Sequence, residues 1–369
     1  MPVSKEDYSV YDPWMKEGAQ APVAVVRREK LRPVAGEGAV IFPPTFAGQG
    51  DAGSIYAFDD LPDGRSVLMD TVGSQANRME ALFMPPDGPL QGLIPQIEFS
   101  VPRTDGTPSV TLNLLEAGHR AADALVRFSD LAPKVGEAFR AIDSKRNYVP
   151  MAQLSPLSLV FGVWDSRGFS GVRIKIPRMI TSTVRAYNVT LLKRNAQFVP
   201  AVRRKLEKDE IEKLAGVDKD TRLSEEGLAE APATGWGGVV SRGPIIRESI
   251  LSLVALRNIY GPDAESTTRL RRYILSLGLA CLGTPLSPEY RSGTILVPAD
   301  PKNSTTLEVV SRDGGVSPIS LGDVTQLARS AAEDFGISKE TAKQNFEWKK
   351  VKETLKAKKE KKETKSTEE

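Results

Sequence analysis

The chain has 369 residues, with 50 Lys and Arg against 47 Asp and Glu, one His and one Cys. Apolar residues at 40 % suffice for a core, and no run approaches the ~18 apolar residues of a membrane span. A lone Cys281 excludes an internal disulfide framework, and His119 with Cys281 cannot make the usual Cys/His zinc site, so neither metal nor cofactor is expected. The chain also lacks a GxxxxGK[ST] phosphate loop, a GxSxG nucleophile elbow and a GxGxxG dinucleotide fingerprint. Residues 1–10 carry Lys5, Glu6 and Asp7 and no apolar h-region, so a cytoplasmic protein is expected.

In chain order, 23–28 and 39–42 read as short strands, and the glycine-rich stretch 48–53 as a mobile loop. Gly73 and Ser74 lead into a helix over 75–83, with Ser74 as N-cap and Met79, Leu82 and Phe83 toward the core. Gln75 and Arg78 share another face of that helix at i, i+3. Together with Ser74 and Asn77, they mark its first turn as a candidate phosphate site. Residues 110–115 alternate like a strand. A helix is expected over 116–131, opened by His119 and Arg120, with Asp123 and Arg127 paired at i, i+4. His119 is expected to act as a structural hydrogen-bonding group. Residues 157–164 read as a buried strand and lead into a turn at Asp165-Ser166-Arg167-Gly168.

Residues 172–176 then alternate strictly, placing Val172, Ile174 and Ile176 inward and Arg173 and Lys175 outward; Pro177 ends the strand and Arg178 follows. A second strand over 183–192 puts Arg185 and Tyr187 on one face. If the two strands are neighbours, their cations share a single sheet surface. After a charged stretch with a helix over 208–214, a strand resumes at 235–240, and helices follow over 249–259 and 268–281. The last of these opens with Arg269, Arg271 and Arg272, a poor place for cations on a helix dipole and therefore a hint of a ligand or partner surface. A late strand falls at 291–297. Short strands mixed with separated helices, without regular alternation, indicate an α+β fold.

The charge is segregated. Ten basic residues stand against one acid between Asp165 and Lys205, whereas 206–233 holds four basic residues and nine acids. Such segregation creates a local positive field suited to a polyanion. Arg167, Arg173, Lys175, Arg178, Arg185, Lys193 and Arg194, with Ser166, are therefore candidate RNA-binding residues beside Ser74, Gln75, Asn77 and Arg78. The last 21 residues hold nine lysines and five acids and read as a helical or disordered tail.

Five motifs, in this order, carry a family resemblance: Gly73-Ser74-Gln75-Ala76-Asn77-Arg78-Met79-Glu80, His119-Arg120-Ala121-Ala122-Asp123-Ala124, Phe161-Gly162-Val163-Trp164-Asp165-Ser166-Arg167-Gly168, Lys175-Ile176-Pro177-Arg178 and Gly237-Gly238-Val239-Val240-Ser241-Arg242-Gly243. Spread over roughly 40–300, they resemble the Cas-seven-type backbone subunit of type I-G (formerly I-U) CRISPR effector complexes, within the RAMP superfamily. The resemblance implies a modified RRM-like (ferredoxin-like) palm over 1–336, with inserted thumb and finger elements, and a lysine-rich tail over 337–369. It implies copies stacked along a CRISPR RNA that pairs with a target DNA strand. It also implies contacts with a large subunit and a fused five-six-type subunit, and transient contact with a helicase-nuclease that does the cutting. The RRM's own aromatic signature is missing. Two other readings stand beside this one. The first is a metal-dependent RNA-processing or target-RNA nuclease, for which Asp165 is the residue to weigh against simple turn-capping. The second is a purely structural assembly protein.

Overall fold

Alternating buried residues in strands distant in sequence build the centre of the molecule. In Ile245–Ser252 the residues Ile245, Arg247, Ser249 and Leu251 are buried, and in Ile180–Ala186 so are Ile180, Ser182, Val184 and Ala186. The computed structural model describes residues 10–46, 55–104, 107–168, 170–216, 223, 226–228 and 231–366, with 195–198, 231–236 and 358–366 described by their backbone alone. The fold is mixed α+β around a curled sheet in which every pairing is antiparallel. Pro22–Pro33 lies between Ile245–Ser252 on one edge and, on the other, Thr305–Ser311 followed by Thr294–Pro298. Beyond Ile245–Ser252 come Ile180–Ala186, Gly64–Asp70 and Phe58–Leu61.

Helices Val72–Glu80 and Ala264–Gly283 cover one face of this sheet. The main core fills the space between and beyond them, with Phe83, Phe99, Phe139, Phe161, Leu251 and Tyr273 buried. A smaller core of Ile41, Tyr56, Val67, Val184, Val239 and Ile245 closes the other end. From that end a two-stranded arm, Val189–Phe198 paired with Ala231–Ser241, leaves the body through a bulge between Leu191 and Lys193. Val40–Ile41 adds to the arm's base, and Gly238 permits the approach: its φ is +79°, and a Cβ there would sit 2.7 Å from the Ile41 carbonyl oxygen. Thr341–Asn345 lies parallel to Gln96–Val101, and the chain then leaves as the helix Trp348–Ser366.

Several expectations change. The helix expected over 116–131 is broken into Arg120–Ala122 and Ala124–Arg127, because Asp123 caps the second piece by accepting from the Leu125 amide at 2.9 Å. The long helix comes later, at Ala132–Lys145. Residues 157–164 form a helical turn, Leu157–Val160, and a two-residue strand, Val163–Trp164. Residues 249–259 split into the end of Ile245–Ser252 and the short helix Leu253–Arg257. The arginines at 269–272 face internal partners: Arg271 donates to the carbonyls of Ile259, Met15 and Arg257, Arg272 pairs with Asp12, and Arg269 bonds to Asp334. Those carbonyls and carboxylates account for the cations without a ligand. Residues 48–53 lie outside the described residues.

One buried ion pair joins three of the motifs. The Arg120 guanidinium donates to both oxygens of Glu80, at 2.6 and 2.8 Å, and to the Gly162 carbonyl at 3.2 Å, and lies over the Phe161 ring. Burial pushes the Glu80 carboxyl up, against the pull of Arg120, so the carboxylate depends on its partner. Arg120 holds a left-handed backbone (φ 50°), which costs about 1 kcal/mol or more and persists because the surroundings fix it. Arg120→Ala is expected to destabilise by about 3–5 kcal/mol, with the double change Glu80→Ala, Arg120→Ala costing less than the two single changes summed. Denaturant midpoints of the four proteins give the coupling, and strict additivity would remove the pair from this role.

Candidate nucleic-acid interface

The candidate residues fall on four separate elements and not on one sheet surface. Lys175–Ile176 is a two-residue strand paired with Val163–Trp164; Arg185 lies in the central sheet; Lys193 and Arg194 lie on the arm; and Ser74, Gln75, Asn77 and Arg78 lie on Val72–Glu80. The alternation over 172–176 holds for exposure, but no sheet joins it to 183–192. That segment itself divides at Tyr187 and Asn188 between the central sheet and the arm.

The helix at 72–80 has a structural role. Thr71, and not Ser74, is its N-cap: the Thr71 hydroxyl accepts from the Ser74 amide at 3.1 Å, and its carbonyl accepts from Gln75 N. Gln75 is completely buried. Its amide nitrogen donates to Asp70 at 2.6 Å, and its oxygen accepts from the Ser182 hydroxyl. Arg78 bonds to Asp70 at 2.8 Å and to the carbonyls of Glu289 and Tyr290, and lies over the Tyr290 ring. Gln75 and Arg78 do share a face, as the spacing indicates, but that face is turned inward. Arg185 pairs with Asp59, so its charge is already met. Asn77 is exposed.

The segment 163–178 is different. Arg167, Arg173, Lys175 and Arg178 are all exposed, and among the described residues no carboxylate lies within ion-pair distance of any of them. Ser166 is exposed beside them. Trp164 is 60 % exposed, with the Lys175 ammonium 5.7 Å from the centre of its ring. The turn that carries them is fixed from within. Asp165 is buried, and its carboxylate accepts from the Gly168 amide at 2.8 Å and from the Ser170 hydroxyl at 2.8 Å and amide at 3.3 Å. This is turn-capping, one of the two roles weighed for Asp165. Gly162, at φ +79°, lets 176–178 pass: a Cβ there would lie 2.9 Å from the Ile176 carbonyl oxygen and 3.0 Å from the Arg178 nitrogen. The Arg120 contact to the Gly162 carbonyl thus ties the buried ion pair to the posture of the basic segment.

A second basic region lies at the foot of the arm and escaped the sequence reading. Lys30, Arg32 and Arg242, with Glu37, line an open groove of about 740 Å³ that also borders Gly243 and Pro244. Alternation in Pro22–Pro33 puts Arg28, Lys30 and Arg32 on one face, and that period-2 signal was available in the sequence. Lys193 and Arg194 are exposed on the arm nearby. The two basic regions adjoin opposite ends of Ile180–Ala186, roughly 20–25 Å apart at the rise of an extended strand.

Residues 25–191 match the family described as CRISPR-associated protein GSU0053 (Cas_GSU0053), somewhat under half of the chain. No curated protein matches the chain. The family match supports a CRISPR-associated protein with a part in CRISPR defence. It covers the Glu80–Arg120 pair and the whole of 163–178, and stops before Lys193 and the tail. Among the described residues no helix is long and apolar enough to cross a membrane, and no group of three His, Cys, Asp or Glu side chains could hold a metal ion.

The division between engaged and free cations is open to test. Arg78→Ala is expected to cost about 3 kcal/mol, because it leaves the buried Asp70 carboxylate without its countercharge, with only the neutral Gln75 amide still donating to it. Arg173→Glu with Lys175→Glu is expected to stay within about 0.5 kcal/mol of the parent. Urea titration of the two variants reads both values, and a large loss in the second would show that those cations are structural.

Proposed function

We propose that the protein is a guide-RNA-binding backbone subunit of a CRISPR effector complex, of the Cas-seven type of the RAMP superfamily and of subtype I-G. Its role is to grip the CRISPR RNA by its phosphates while base pairing reads the target DNA strand. The observation that carries this reading is the set of four exposed, unpaired cations around an exposed tryptophan on 163–178, within the region matched by the CRISPR-associated family. Exposed cations neutralise phosphates at little desolvation cost, and Trp164 offers a base a stacking platform worth about 1–3 kcal/mol.

The strand order supports the palm. Thr305–Ser311, Pro22–Pro33, Ile245–Ser252 and Ile180–Ala186 lie side by side in that order, all antiparallel, with helices between the first and second and between the third and fourth in sequence. That is the connectivity of a βαββαβ ferredoxin-like unit, with the arm as an insertion in the place of a thumb. The remaining partners follow from the same reading: further copies of the chain, a large subunit, a fused five-six-type subunit and, transiently, a helicase-nuclease, all in the cytoplasm. No catalysis is assigned. Asp165, the residue a nuclease reading would need, already has its carboxylate inside a turn.

Purified with its partner subunits, the protein is expected to carry RNA of defined length. Replacing Arg167, Arg173, Lys175 and Arg178 together by Ala is expected to weaken binding of single-stranded RNA and to flatten its log–log salt dependence by about 2–3 units, at ~0.7 per phosphate contact. An unchanged slope would overturn this placement of the site.

A further inference from the structure

The lysine-rich end of the chain is held to the body at one point and then leaves it. Thr341–Asn345 pairs with Gln96–Val101, and the Asn345 side chain and backbone bond to Asp130. The Phe346 amide donates to Ser100, and the Glu347 amide to the Phe128 carbonyl at 2.7 Å. Phe128, Phe346 and Trp348 stack edge to face, and the Trp348 indole donates to the Pro102 carbonyl at 2.9 Å. Lys350 completes the anchor by donating to the Ser129 carbonyl at 3.0 Å. From there the helix Trp348–Ser366 extends about 28 Å at 1.5 Å per residue.

The sequence of this helix has no apolar face. Its 19 residues hold nine lysines and three glutamates, and Val351 and Leu355 are its only aliphatics larger than alanine, with Leu355 62 % exposed. A helix polar all round gains nothing by packing on the body and needs pairing charges or a partner. Lysines recur at i, i+4 in 352/356, 358/362 and 361/365, and three Lys/Glu pairs at the same spacing, 349/353, 356/360 and 359/363, offset them without neutralising the excess of lysine. An anchored helix with a sequence charge of +6 is complementary to a polyanion.

Its position indicates which polyanion. The anchor at Ser129 lies just before the helix Ala132–Lys145, and further along that same helix Arg140 donates to the Ser170 carbonyl at 2.8 Å, holding the basic segment 163–178. The two basic elements thus meet one helix at points roughly 15 Å apart along its axis. We infer that the helix Trp348–Ser366 is a second, sequence-independent clamp for the phosphate backbone of the same RNA strand that 163–178 holds. This inference rests on the RNA-binding reading above, but involves different residues, outside the region matched by the family.

The test keeps the full chain. Lys352, Lys356, Lys358, Lys359, Lys361 and Lys362 are changed together to Gln, which preserves helix propensity and leaves the anchoring Lys350 in place. The expected result is at least a tenfold loss of affinity for a homopolymeric single-stranded RNA at low salt. The log–log salt slope should fall by about 2–4 units, over and above the effect of the 163–178 changes. Unchanged RNA binding would overturn the inference. So would a loss confined to non-complementary duplex DNA or to association with another protein subunit, since either would give the helix a different partner. If the lysine variant loses RNA affinity while the 163–178 variant does not, the helix binds RNA by itself and the shared-strand inference falls together with the first site; the reverse pattern overturns the inference and leaves the first site standing.

Discussion

The ion pair between Glu80 and Arg120 is the constraint on which the rest of the proposed interface depends. It is buried, bidentate and extended to the Gly162 carbonyl, so it links the end of the first core helix, a strained left-handed residue and the entrance to 163–178. Buried charges of this kind contribute little net stability against an apolar alternative, yet losing one partner is costly. Their value lies in specifying one arrangement. Here the arrangement fixes where the chain emerges before the Asp165 turn, and the turn in turn sets the direction of Arg167 and Arg173. Two interior features thus govern a surface.

The arginines separate into two populations. Arg78, Arg120, Arg247, Arg257, Arg271 and Arg272 reach carboxylates or carbonyls inside the fold and tie its separate segments together. Arg167, Arg173 and Arg178, with Lys175, touch no carboxylate among the described residues and stand in solvent. Net charge does not distinguish these populations, since both count as +1. What matters for a polyanion is the unengaged set, which gathers at one end of Ile180–Ala186, with Lys30 and Arg242 exposed at the foot of the arm. A strand held at both ends would be gripped across the width of the domain, with the bases left to pair.

Much of this was legible in the sequence, for physical reasons that also explain the failures. Period-2 alternation gives the exposed side of 172–176, while the strands expected at 23–28 and 183–192 fall within Pro22–Pro33 and across Ile180–Ala186 and Val189–Phe198. The apolar spacing of 249–259 suits both periods: pairing with the Pro22–Pro33 strand draws 249–252 into the sheet, and Leu253–Arg257 keeps the expected helix. The helix expected at 116–131 failed because Asp123 prefers to cap. Gln75 and Arg78 were placed on the correct helix face, but the direction of that face is set by Asp70 and Ser182, one of them 107 residues away. Alternation reports which side chains share a face of a strand; it cannot report which sheet the strand joins. The expected single basic surface failed at that step.

The most direct measurement of the central claim is photo-crosslinking of RNA bound to the assembled protein, followed by identification of the modified peptides. The account predicts crosslinks at Trp164 and along the residues up to Arg178, where exposed cations and an aromatic ring meet on a turn locked from within. Crosslinks that avoid this stretch and fall only on the groove lined by Lys30, Arg32 and Arg242 would contradict it.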